Sequence, residues 1–123
     1  MRYLYVKRQR ALACFGTAYH CVLNQPLAEH LAWAETQDRE TLMRLRDDQT
    51  LRNGETIRMA LGEGPGSLFV IAYLENRNLT TRELPIPTGD QDLLCTVVTE
   101  FDGNRRISLE LVPGDPDLSD TEA

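Results

Sequence analysis

From Ala11 to Ala28 the chain has no Asp, Glu, Lys or Arg, although 26% of its residues are charged. Burying a charge costs far more than burying an apolar group, so this silent stretch is expected to mark where the core begins. Lysine is almost missing: Lys7 is the one lysine among 13 basic residues. Genome composition explains such a bias as readily as a need for bidentate carboxylate contacts, and no function is drawn from it. Cysteine is sparse and odd in number, with Cys14, Cys21 and Cys95 in neither a disulfide framework nor a paired CxxC zinc spacing. That pattern fits reduced, buried thiols and a cytoplasmic protein. Serine is equally scarce. None of Ser67, Ser108 and Ser119 lies in a G-x-S-x-G elbow, which removes the commonest hydrolase signature. No apolar run approaches the ~20 residues that span a bilayer. Basic residues followed by Ala11 to Leu23 imitate a signal peptide, but Gly16, Thr17, Tyr19 and His20 dilute the run and no A-x-A site follows. Neither a membrane nor a secretory route is expected.

What is present suits one domain, residues 1–112, followed by an acidic, mobile tail over 113–123. The chain has 123 residues, 41% of them hydrophobic, enough for a core without staples. Its net charge of −6 opposes general attraction to nucleic acid or anionic lipid, so no nucleic-acid partner is expected. The charge is polarised: Arg2, Lys7, Arg8 and Arg10 crowd the start, whereas Asp115, Asp117, Asp120 and Glu122 crowd the end. A basic strand of this kind either grips an acidic partner or is a solvated sheet edge whose charges discourage aggregation.

Periodicity gives the elements. Arg2 to Lys7 reads as a strand, and Ala11 to Leu23 as one long bent strand or two broken near Gly16-Thr17. Its continuous apolarity implies burial on both faces, as in the centre of a sandwich or beneath a helix. Asn24-Gln25-Pro26 should open a helical region, since proline suits the first turn. Leu27, Leu31, Ala34, Leu42 and Leu45 form its apolar stripe, in one amphipathic helix or in two with a break near Thr36 to Asp38. Asn53-Gly54 is expected to end it. Thr56 to Leu61 alternates as a strand with one wet face, Leu68 to Leu74 is a buried run, and Leu79 to Leu84 is its antiparallel neighbour. Pro85 and Pro87 confine the next stretch to an edge or loop. Leu93 to Phe101 and Arg106 to Val112 flank the hairpin signal Asp102-Gly103-Asn104.

The fold class expected is α+β and mostly β: an antiparallel β-sandwich or open barrel of about seven strands with one amphipathic helical insertion over about residues 27–50. The first strands, the turn Asn53-Gly54-Glu55 and the closing hairpin resemble small bacterial β-sandwich domains, a resemblance that implies fold alone.

Few constellations suggest chemistry. Gly62 to Ser67 lacks the Lys-Ser/Thr of a phosphate loop and precedes a strand, so a hairpin turn explains it. His20, Cys21 and His30 carry zinc-type ligand atoms, but adjacent His20 and Cys21 point to opposite faces of a strand. Carboxylate pairs such as Asp47-Asp48 lie in polar stretches where solvent keeps them ordinary. Enzymatic activity and a bound cofactor are therefore not expected. The leading expectation is a non-catalytic interaction or accessory module whose partner, another protein, meets Arg2, Lys7, Arg8, Arg10 or Trp33. The alternative is a small-ligand or metal protein with a site between helix and sheet near His20, Cys21 and His30. Self-association through the N-terminal strand, read as an edge, is a further expectation.

Overall fold

The computed structural model describes residues 1–102 and 106–116. It is mostly β, with two sheets and two helices in three layers. Sheet A has the order β4-β1-β8-β9, from β4 (Thr56–Leu61), β1 (Arg2–Arg8), β8 (Leu93–Phe101) and β9 (Ile107–Pro113). Sheet B has the order β3-β2-β5, from β3 (Thr50–Leu51), β2 (Tyr19–Leu23) and β5 (Gly66–Tyr73). Along the other side of β5 run β6 (Asn78–Thr80) and then β7 (Leu84–Ile86). Helices α1 (Leu27–Glu35) and α2 (Arg39–Arg44) cover the outer face of sheet B, and no barrel closes.

The middle layer explains the continuous apolar runs. On β5, Leu68, Val70 and Ala72 enter the core between the sheets, while Phe69, Ile71 and Tyr73 face the helices. On β2, Tyr19 and Cys21 point into the inter-sheet core and Val22 toward the helices. Sheet A has one wet face, so β4 keeps strict alternation.

Two local features fix the frame. Ile71 faces Thr80 but Leu68 faces Leu84, so three steps on β5 match four on its neighbour: a β-bulge. Thr81 fills it, its N–H donating to Val70 O at 2.9 Å and its Oγ1 accepting the Val70 N–H at 3.0 Å. Asn24, at φ 58°, turns the chain from β2 toward α1 and accepts the Ser67 N–H at 3.0 Å. A Cβ on Gly66 would lie 2.5 Å from Asn24 Oδ1, so a side chain there would push the Asn24 amide off its bond to the Ser67 N–H.

Several expectations are corrected. The early strand begins only at Tyr19; Ala11 to Ala18 form a loop, with Leu12 94% and Phe15 70% exposed. The absence of charge there reflects a loop tied from inside rather than core strand. The helical region is two helices and ends at Arg44, because Leu45 turns out to ψ 131°. Asn53-Gly54 makes the β3–β4 turn, with Gly54 at φ 78° and the Glu55 N–H donating to Arg52 O at 3.0 Å. Nine strands are present among the described residues, β3 and β7 being the short additions. Nor is the sheet wholly antiparallel: β1 runs parallel to β8. β1 also pairs with β4, so both its sides are occupied and it offers no edge to a second copy. The β8–β9 hairpin pairs in register from Phe101↔Ile107 to Cys95↔Pro113, its turn residues 103–105 lying outside the described residues. Of the expected mobile tail, the first residues are tied down: Gly114 N–H donates to Leu94 O at 2.8 Å and Asp115 pairs with Lys7 at 3.0 Å. Residues 117–123 lie outside the described residues.

Candidate functional site

Arg2, Leu4, Val6 and Arg8 share one face of β1 by the period of two, and that face is buried throughout. Two of the basic residues expected to meet a partner are therefore interior. Arg8 is fully buried; its Nη1 donates to Thr17 O at 2.6 Å and to Leu51 O at 3.0 Å, and its Nη2 to Cys14 O at 2.7 Å. Its guanidinium lies 3.4 Å from the centre of the Tyr19 ring, a desolvated cation–π contact. No carboxylate among the described residues accepts from it; burial lowers its pKa, and Tyr19 beside it works in the opposite direction. At the other end of β1, Arg2 donates through Nε to Gly62 O at 2.9 Å and through Nη2 to Pro87 O at 2.6 Å. The two guanidiniums plug opposite ends of the inter-sheet core and tie down the loops there.

The signal was in the alternation: Arg2 and Arg8 have the parity of Leu4 and Val6, whereas Lys7 has that of Tyr3 and Tyr5. Lys7 is held by Asp115. Arg10 is exposed, its stem over Gly54. Of the four, Arg10 is the one at the surface that no described acid engages, and it borders the loop that presents Leu12 and Phe15. That loop is ordered by more than Arg8: Gln9 N–H donates to Val97 O at 3.0 Å, Ala11 N–H to Asn53 Oδ1 at 3.1 Å, and Thr17 N–H to Cys14 O at 3.0 Å. Cys14 takes φ 59°, an unusual conformation for a residue with a Cβ.

The second region lies between the helices and sheet B. His30, on α1, meets the Tyr73 hydroxyl through Nε2 at 2.8 Å, and its ring packs edge-on to Phe69. His20, on β2, has its ring 5.2 Å from Tyr73 and its Nδ1 3.4 Å from Thr50 Oγ1, which donates to Asp47. Burial lowers the pKa of both histidines, with Arg46 adding to the effect at His20 and Asp47 opposing it. Burial also raises Tyr73 to about 12, so near neutral pH this bond joins an uncharged phenol to an uncharged imidazole. Cys21 faces the other way, into the inter-sheet core. The three expected metal ligands thus do not converge, and no group of three His, Cys, Asp or Glu among the described residues is placed to hold an ion. Burial pushes the Cys21 thiol up strongly and Cys95 to about 12, so neither is a thiolate at neutral pH. Trp33 is 45% exposed, packs at a tilt beside the His30 ring and helps line an open groove of about 430 Å³ with Gln25 and Glu29.

A pH dependence follows from the two histidines. Their folded pKa values lie below the ordinary 6.5, so the unfolded chain binds protons first as pH falls. Their contribution is fully present above about pH 6.5, declines as pH drops through the folded values, and levels off below them. Urea midpoints measured from about pH 8 to 5 should fall on the acid side, and His20→Gln should flatten the fall. Midpoints that hold constant would refute the assignment.

No helix among the described residues is long and apolar enough to cross a membrane. No family model, curated protein or solved structure compared with the chain matches it.

Proposed function

We propose that the chain is a non-catalytic interaction module that meets another protein through the tip of the loop 9–18. One observation carries the reading: a fully buried arginine donates to the backbone of a loop that displays Leu12 and Phe15 to solvent. Apolar side chains on a floppy loop would lose much of their binding energy to ordering. Here the backbone is already fixed, so little of that loss remains. Covering a leucine and a phenylalanine contributes about 1.5–3 kcal/mol each, the scale of an interface anchor. Arg10 beside them favours a partner with an apolar pocket and an acidic rim. The groove at Trp33 is the second candidate contact.

The test is photo-crosslinking from position 15 in cells, with a control at exposed position 75. The expected result is a discrete protein adduct from position 15 that Leu12→Asp abolishes and position 75 does not give. Identical adducts from both positions would overturn the proposal.

A further inference from the structure

Open sheet edges invite strand addition, and proteins usually block them with short strands, charges, prolines or bulges. Three of the four edges among the described residues are blocked. β3 has two residues. The β6–β7 side is interrupted by the Thr81 bulge and carries Pro85. On β4, the Arg8 N–H bond to Glu55 O at 2.8 Å sets the alternation, so Thr56, Arg58 and Ala60 turn their backbone outward. Self-pairing that used all three would set Arg58 against its own copy.

β9 carries no such block from Ile107 to Val112, and its one proline is the last residue, Pro113. The Gly114 N–H donates to Leu94 O at 2.8 Å and the Asp102 N–H to Arg106 O at 3.0 Å, which fixes the alternation at both ends of the β8–β9 ladder. Ser108, Glu110 and Val112 therefore bond to β8, and Ile107, Leu109 and Leu111 turn N–H and C=O outward, with no bond from any described group. Beside this edge lies a trough of about 500 Å³, bounded by Ser108 to Leu111 on one side and Arg82, Glu83 and Leu84 on the other. Phe101, paired with Ile107, is 59% exposed at its end.

We propose that β9 pairs antiparallel with β9 of a second copy about a two-fold axis at Leu109, joining two A sheets into one. The sequence is self-complementary in that register. Ile107 faces the partner's Leu111, Leu109 faces the partner's Leu109, and all three outward backbone pairs on each chain are used. On the solvent face Ser108 meets the partner's Glu110 twice, so no glutamate opposes a glutamate. The inner face continues the apolar row of Ile107 and Leu111.

The experiment is sedimentation equilibrium of the full chain up to about 100 µM, with amide exchange at low and high concentration. The expected result is a reversible dimer in which Ile107, Leu109 and Leu111 gain protection on association, while Ser108, Glu110 and Val112 are protected throughout. Ser108 and Glu110 are exposed, so charges can be exchanged there with the fold kept, as circular dichroism would verify. Ser108→Lys sets lysine against glutamate at two places and should tighten the dimer about tenfold. Adding Glu110→Lys sets lysine against lysine and should loosen it below the unmodified chain. A monomer at every concentration would overturn the proposal and leave the edge to a foreign strand. A dimer of equal strength in both variants, or one without the alternating protection, would overturn it as well.

Discussion

Arg8→Ala is expected to destabilise the protein by about 3–5 kcal/mol, a large fraction of the stability of a domain this size. The guanidinium donates to three carbonyls, those of Cys14, Thr17 and Leu51, and its removal takes a donor from each, leaving Cys14 O with the Thr17 N–H. It also leaves a void against the Tyr19 ring. Desolvating an unpaired cation works in the opposite direction, which is why the sum is not larger. Arg8→Met keeps most of the stem and loses the donors, and should cost about 2–3 kcal/mol. Lysine cannot replace the fork, since one ammonium cannot reach acceptors on the loop and on β3 together. Chemical denaturation of the three variants is the measurement. A methionine variant as stable as the original chain would mean that the carbonyls find other partners and that Arg8 is no pin.

The same substitution separates structure from recognition. Loosening the loop should speed amide exchange from Cys14 to Thr17 and weaken partner capture even though Leu12 and Phe15 are intact. Arg10→Ala, at the surface, should change stability by no more than about 0.5 kcal/mol. Arg2 plugs the opposite end, about 20 Å away along β1, and shares no acceptor with Arg8. Losses from the two positions should therefore add.

How far the sequence could be read depended on which force decided each segment. Burial pattern decided most strands: Thr56 to Leu61 and Leu93 to Phe101 were legible to the residue, because alternation and apolar runs report burial directly. The break at Thr36 to Asp38 was legible only as an interruption of the apolar stripe, compatible with one helix or two; in the structure Asp38 caps the second helix, accepting the Thr41 N–H at 3.1 Å. Ala11 to Ala18 misled because lack of charge is only a correlate of burial. There the backbone is satisfied by a side chain from β1, a long-range pairing that no local pattern encodes. For the same reason a cluster of basic residues looked like a surface, while the parity of Arg2 and Arg8 with Leu4 and Val6 pointed inward. Of His20, Cys21 and His30, the structure places the two histidines against Tyr73 between helix and sheet and Cys21 in the other core, and Tyr73, the residue that joins the histidines, sat unremarked in an apolar run.

Phe69→Ala should cost about 3–5 kcal/mol as well, but through a different layer. Phe69 is fully buried where β5 meets the helices, packed with Val22, Ala34, Leu42 and Ile71 and against the His30 ring. The helices have nine and six residues, far too short to persist alone, and α1 starts at Pro26, which offers no capping side chain, its Leu27 N–H donating instead to Glu83. Their order rests on the apolar face that Phe69 anchors. Removing the ring should therefore free the helical layer before the sheets, whose own core between Leu4, Val6, Val70 and Val97 is untouched. Trp33, the chain's one tryptophan, sits on α1 and reports that layer by fluorescence, while far-ultraviolet circular dichroism reports mainly the sheets. In the original chain the two urea transitions should coincide; in Phe69→Ala the tryptophan transition should come first. Coincident transitions with a loss below about 1 kcal/mol would show that the helices are held by something other than this face.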